Sequence, residues 1–500
     1  MKSSDNRSAA DVAVISLLGR GLTFLGRTMY MAMFGTANAL LDAFSFALNV
    51  PHVFFTVVGT ALNSVMIPVY SSLLAEERRE EAKKFIDNII TISMAIIAVL
   101  VLLGMFAAPF ISGWVGGLES EYLTFALRFL MPVMIFFGFG AIFQGLLQSN
   151  GIFRLPALIT APGGVILIVY LVFFGERFGV HGLLYATALG IFTQPLIMIP
   201  AMRKIGYRYT FSFDLNNPHI RRAAKLSVPV LISVSSYQVN FLFNNGMAMQ
   251  FGTAAIMGYS QMLVQVFMLT IVYAIISVYF PKLSSLYAKA DADGYLESFR
   301  GAVLYILFIV APAAGGFLLL RYEIMDFLLG WRETAEGYTD ITVAGNLLGL
   351  YSIGIIAISL KEAMDRAFYS RQDSKTPALF GFVIMSVNIG ATLVLLPYLG
   401  LYSMPVAYCI AAFIGVLGLC IRLNVKISFI NIAFALNIAK IILSVIIMLI
   451  AANFARGLKL SEINFVSLMI PAFAGIVTYF ISVFVLRVPV ALSFLKRGVK

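Results

Sequence analysis

Apolar runs of eighteen residues or more follow one another along almost the whole chain, each long enough to cross about 30 Å of hydrocarbon as a helix. They can be drawn at 10–34, 38–74, 85–113, 122–147, 155–175, 181–202, 223–248, 254–286, 297–329, 339–369, 377–397, 402–422, 430–454 and 464–488. Lipid offers nothing to bond a backbone N–H or C=O, and these runs are too long and too continuously apolar for barrel strands. The pattern predicts an all-α polytopic membrane protein of about fourteen transmembrane helices. Composition agrees: with 60% hydrophobic and 12% charged residues, 500 residues carry too little polar surface for a soluble globule.

The chain also repeats itself at long range. Phe34-Gly35-Thr36-Ala37 returns as Phe251-Gly252-Thr253-Ala254, Pro68-Val-Tyr-Ser-Ser-Leu as Pro281-Lys-Leu-Ser-Ser-Leu, and Ser149 with Pro156-Ala157-Leu158 as Ser370 with Pro377-Ala378-Leu379. The offsets are 217, 213 and 221 residues. Two pseudo-symmetric six-helix lobes are expected, the arrangement of many carriers. The N-lobe covers 1–204, a polar inter-lobe linker 205–222 and the C-lobe 223–424; 425–500 holds two further spans and the C-terminus. Those two spans suit extra packing, a dimer contact or a groove for a lipid tail.

Lysines and arginines set the orientation. With the N-terminus in the cytoplasm, only Arg177, Arg321, Arg332, Arg456 and Lys459 fall on the opposite side, so both termini are expected in the cytoplasm of a bacterial inner membrane. The net charge of +11 is then a property of the loops and implies no nucleic-acid partner. The N-terminus carries no cleavable signal pattern. Cys409 and Cys420, eleven residues apart on one helix, are too distant to bridge.

Ionisable residues inside spans are costly unless they face a cavity or a partner. Arg20 and Arg27 lie seven residues apart on span one, two turns along one face, with Thr23 between them. The pair suits a diphosphate; alternatively Arg20 bonds backbone carbonyls and Arg27 snorkels to the interface. Asp42 opens span two with Arg27 as a partner in reach, and His52 follows the helix-kinking Pro51, as a gate or a hydrogen-bonded packing residue. In span ten, Lys361 with Asp365 and Glu362 with Arg366 are two i, i+4 pairs, a closed gate or structural cluster. Asn240, Asn244 and Asn245 on span seven are the polar candidates for an ion site.

Enzyme chemistry is not legible. The chain has no P-loop, no metal-ligand spacing among three histidines and two cysteines, and no nucleophile triad, so neither catalysis nor a cofactor is expected. Energy is expected from membrane potential, Na+ or H+, or from the substrate's own gradient.

The decapeptide Phe368-Tyr-Ser-Arg-Gln-Asp-Ser-Lys-Thr-Pro377 resembles the loop after span ten in the MurJ (MviN) lipid II flippases of the multidrug/oligosaccharidyl-lipid/polysaccharide exporter superfamily. Phe34-Gly35, Asp42-Ala43-Phe44 with Pro51, Pro68, Pro281-Lys-Leu-Ser and the two extra spans fit in order, so the resemblance covers essentially the whole chain. It implies a two-lobed carrier that moves undecaprenyl-diphosphate-linked peptidoglycan precursor to the outer leaflet by alternating access, for cell-wall synthesis. Membrane lipids and cell-wall synthesis proteins are the implied partners, and spans thirteen and fourteen the implied lipid-tail groove. Arg20 and Arg27 match the family's span-one arginines with one extra residue between them. Phe55 stands at the family's span-two arginine, Gly59 or Thr60 at its glutamate, Met262 at its span-eight arginine, and His52 where asparagine is common. Another polyprenyl-diphosphate oligosaccharide, a cation or drug antiporter of the same superfamily, and a non-transporting scaffold are the alternatives.

Overall fold

The structure, a computed structural model, describes residues 2–35, 38–115, 119–330, 340–458 and 464–492. Thr36 and Ala37 of the first repeat echo, Arg332, Lys459 and the C-terminal residues 493–500 lie outside the described residues. Among the described residues every regular element is helical: α1 Lys2–Phe34, α2 Ala39–Ala75, α3 Arg79–Val115, α4 Ser120–Leu130, α5 Val133–Ser149, α6 Arg154–Ala157, α7 Ala161–Phe173, α8 Gly175–Leu196 and α9 Ile199–Lys204. The series continues with α10 Pro218–Met249, α11 Ala254–Ala288, α12 Ala292–Leu319, α13 Arg321–Leu329, α14 Ile341–Ser370, α15 Lys375–Leu399, α16 Ser403–Ile427, α17 Ile432–Gly457 and α18 Asn464–Val485.

Among the described residues eleven segments are long and apolar enough to cross a membrane, and one of these, Lys375–Ile427, contains two helices broken at Gly400. With α1 and α10 the arrangement is compatible with the fourteen spans expected from hydropathy. Several spans are broken where proline withholds an N–H: α4 gives way to α5 at Met131–Pro132, and α8 to α9 between Pro195 and Pro200. Starts are set by short polar side chains that take up orphan N–H groups. Asn38 accepts from Leu40 and Leu41, Asn217 from His219, Asp291 from Gly294, Asp340 from Val343 and Asn431 from Phe434.

The helices group into two compact units that divide between Ala255 and Ile256. The seventh span, α10, was expected to open the C-lobe at residue 223; its contacts group it with the first unit because it packs along α2. Asn49 of α2 donates to Asn245 across that contact at 3.4 Å. In the same unit α1 lies along α7, and α7 along α8. Glycines let these backbones close up, the packing that lipid favours when apolar burial offers no drive. A Cβ at Gly190 would sit 2.9 Å from the Gly163 Cα, and one at Gly164 would sit 3.0 Å from the Thr23 nitrogen. A separate apolar core joins Met66, Leu73, Phe85, Leu146, Met198 and Ile220.

In the second unit α14 packs on α12 and α16, α15 on α16, and the last two helices pair, with α17 against α12. The decapeptide that carried the family resemblance is a fastener between α14 and α15. Phe368 is fully buried beneath the Lys426 ammonium, 5.3 Å from its ring centroid. Tyr295 donates to the Ala367 carbonyl at 2.8 Å and meets Ser370 at 2.9 Å, while the Arg371 guanidinium lies over Tyr287 and Tyr295. Asp373 accepts from the Thr376 N–H and hydroxyl and pairs with Lys426 at 2.7 Å. Burial alone would raise that carboxyl, but Lys426 and Thr376 outweigh it and hold it down to about 2.

Candidate functional site

On α1, Gly19 and Gly26 meet Thr160 and Leu167 across the α7 contact, so the residue after each, Arg20 and Arg27, lies on the adjacent flank of the helix. Thr23 does not share their work: its hydroxyl donates to the Gly19 carbonyl at 3.1 Å. Arg20 is exposed, with no ion pair among the described residues. Arg27 is half-buried and near enough for its charge to act on Tyr30 and His52. The structure therefore brings Arg27 and His52, twenty-five residues apart, into one electrostatic neighbourhood.

Asp42 behaves differently from the spacing-based expectation. Instead of pairing with Arg27, its buried carboxylate accepts from the Ala255 N–H at 2.7 Å, and Oδ2 has no hydrogen-bond partner. The reason lies in the repeat. Asn38 caps α2 from its own sequence, whereas at the start of α11 the Thr253 hydroxyl donates back to the Ala248 carbonyl and Asp42 takes up the Ala255 N–H.

His52 keeps an open face and meets Phe137 edge-on at 5.8 Å. Phe55, one turn further along α2, stacks on the same ring at 5.4 Å and lies back over Gly59, where an added Cβ would come within 2.6 Å of its Cζ. His52 thus stands against an aromatic cluster. Phe137 was not found from sequence because a phenylalanine in an apolar run carries no signal.

The α10 asparagines are all buried but do different things. Asn245 accepts from Asn49 and donates to the Phe241 carbonyl at 2.8 Å, so it is spent on packing. Asn240 and Asn244, one turn apart on one face, each keep a buried carbonyl oxygen without a hydrogen-bond partner. A similar pair went unread on α15: Asn388 and Thr392 are fully buried, and their side-chain polar atoms also lack partners. Their i, i+4 spacing in an apolar run was the available signal. On α14 the charges close on themselves as the spacing implied, Lys361 with Asp365 at 2.5 Å and Glu362 with Arg366 at 3.4 Å. The Arg366 guanidinium also faces the rings of Phe280 and Tyr369.

A duplicated bundle of membrane-length helices defines the class, a polytopic all-helical membrane protein. Within that class the chain belongs to the Lipid II flippase MurJ family, whose profile matches residues 31–488. Arg20 and Arg27 stand just before the matched segment. A curated relative, the lipid II flippase MurJ of Burkholderia cenocepacia, is 23% identical over 432 residues, 83% of each chain. The probable lipid II flippase MurJ of Vibrio cholerae is 24% identical over 82% of this chain and 81% of its own. A solved lipid II flippase MurJ in an inward closed conformation superposes with a TM-score of 0.79 at 20% identity, covering 94% of this chain and 97% of its own. An inward-facing multidrug resistance MATE family transporter gives 0.67 at 15%, over 83% and 98%.

Proposed function

We propose that the chain is a flippase that carries lipid II, an undecaprenyl-diphosphate-linked peptidoglycan precursor, from the cytoplasmic to the outer leaflet of the bacterial inner membrane by alternating access. The family match over residues 31–488 carries this reading. No bond is made or broken, so the protein has to hold a charged head group and let it go. Arg20 and Arg27 are the groups for the diphosphate: seven residues of helix separate them by about 10 Å along the axis, a ladder of two guanidiniums along which a dianion can be passed. Both termini lie in the cytoplasm, with the basic loops.

Resetting the empty carrier requires a gradient. The unpartnered oxygens of Asn240 and Asn244 are hard, neutral ligands of the type that Na+ takes, and they support cation coupling over use of the substrate gradient alone. The product is delivered to cell-wall synthesis proteins on the outer side.

The test is rescue of a strain depleted of its own lipid II flippase. Wild-type chain is expected to restore growth, and Arg20→Ala with Arg27→Ala to abolish it while the protein remains at wild-type level in the membrane. Failure of well-expressed wild type sinks the reading; rescue untouched by both substitutions keeps the function and removes the arginines from it.

A further inference from the structure

We propose that residues 207–215, between α9 and α10, form a lipid-anchoring ribbon: one edge is pinned to α3 and the other inserts Phe211, Phe213 and Leu215 into the anionic interface of the adjacent leaflet. The pinned edge is unusually complete. Tyr207 donates to Asp87 Oδ1 at 2.6 Å and Thr210 donates to Oδ2, where Lys83 also arrives at 2.8 Å. Tyr209 meets the Thr91 hydroxyl at 2.8 Å. Asn88 treats Asp214 as a strand partner would, donating to its carbonyl at 2.6 Å and accepting from its N–H at 2.9 Å. The connection thereby supplies both partners of the buried Asn88 amide and, with Lys83 of α3 itself, those of the buried Asp87 carboxylate.

The free edge lies in the second half of the connection. After Thr210 the chain holds α3 only through the Asp214 backbone, and the side chains on either side are left outward: Phe211, Phe213 and Leu215 are 79%, 56% and 55% exposed. Three large apolar side chains in a row on a polar connection call for an occupant. Position along α3 says which. Asp87 to Thr91 lie where that helix passes from its charged first turns, Arg79 to Lys84, into the apolar run that starts at Ile89, so the ribbon sits at the level of the membrane interface. Exposed Arg203, Lys204, Arg208 and Arg221 flank it; along 203–221 they face one acid, Asp214, with Glu81 of α3 near His219, and the cationic excess complements an anionic leaflet. A soluble protein partner would need about 800 Å² on each side, far more than three side chains present, whereas lipid needs no minimum area.

Spin labels at Phe211→Cys and Phe213→Cys test this, each in a Cys409→Ala, Cys420→Ala background reconstituted into vesicles of phosphatidylglycerol and phosphatidylcholine, with collision rates measured against oxygen and a water-soluble nickel chelate. Oxygen-preferring, nickel-shielded labels are expected at both sites, with Arg208→Cys nickel-accessible as the aqueous reference. Nickel access at Phe211 and Phe213 equal to that at Arg208 overturns the proposal and leaves a soluble partner as the occupant. Equal depth in pure phosphatidylcholine overturns the anionic part. Asp87→Asn with Asn88→Ala is expected to narrow the label spectra and reduce their depth while helicity by circular dichroism is kept; unchanged depth and mobility overturn the pinning.

Discussion

At the scale of single residues, Phe55 and Gly59 are one feature. The Phe55 ring is stacked on Phe137 and occupies the space above Gly59, so neither position can change alone without a cost. Gly59→Val is expected to lower stability by about 1–3 kcal/mol in detergent thermal melts, and most of that loss to vanish in a Phe55→Ala background. Additive losses would show the two are independent. Asp373 gives a prediction in pH. Its carboxyl is held at about 2 against an ordinary 3.8, so its contribution is complete above pH ~4 and disappears as pH falls toward 2. Allowing for solvent screening at the exposed Lys426, that contribution is about 1–2 kcal/mol. Asp373→Asn should therefore lose about this much at pH 7 and keep only a small part of that deficit at pH 2, where the native carboxyl is half protonated, a difference measurable by chemical unfolding at the two pH values. The same residue scale shows what sequence spacing cannot supply: Arg27 was the nearest cation to Asp42 along the chain, but the group that meets Asp42 is a backbone N–H 213 residues away, and backbone donors leave no mark in composition.

At the scale of elements, hydropathy located the spans because a membrane helix must be apolar for its whole crossing. It did not locate the breaks, since a proline inside an apolar run is read equally well as a kink or a helix end; the splits between α4 and α5 and between α8 and α9 came only from the structure. Nor did it reveal what fixes the first helix. The flank that carries Arg20 and Arg27 is aimed by the α1–α7 contact, where Gly164 lies against the backbone at Leu22 and Thr23. Gly21, one residue from Arg20, has nothing within 4 Å of where its Cβ would be. The contrast makes an internal control. Gly164→Val should push α1 outward and abolish rescue of a flippase-depleted strain although both arginines remain, while Gly21→Ala should rescue at wild-type level. Rescue by a membrane-stable Gly164→Val variant would mean that the arginines do not depend on this contact for their placement.

At the scale of the whole molecule, the duplication runs deeper than its three sequence echoes. Backbone positions with positive φ pair off as Gly35 with Gly252, Glu77 with Ala290, Gly151 with Gln372, Gly179 with Gly400 and Gly206 with Ser428, at offsets of 217, 213, 221, 221 and 222 residues. Among the described residues only Arg487, after the last helix, is left over. The helix end at 151 is closed by Ile152 N–H to Leu147 O and Gly151 N–H to Gln148 O; that at 372 repeats both bonds as Asp373 to Phe368 and Gln372 to Tyr369. The two halves have kept their backbone punctuation while exchanging the side chains that made it easy: glycine serves at each of these turns but one in the first half, and three of the five in the second carry a side chain at a left-handed position. Charge has diverged in the same way, since Arg27 corresponds to Asn244 and Asp42 to Tyr259. If the punctuation is inherited and the residue at each turn is free to drift, strain should be exchangeable between halves. Gln372→Gly is then expected to stabilise the protein by about 0.5–1 kcal/mol and Gly151→Gln to destabilise it by about 1–2 kcal/mol, read as opposite shifts of the detergent melting temperature. Both can be made without touching an arginine of the site. A destabilising Gln372→Gly would mean that this glutamine side chain does more for its helix end than the left-handed turn costs.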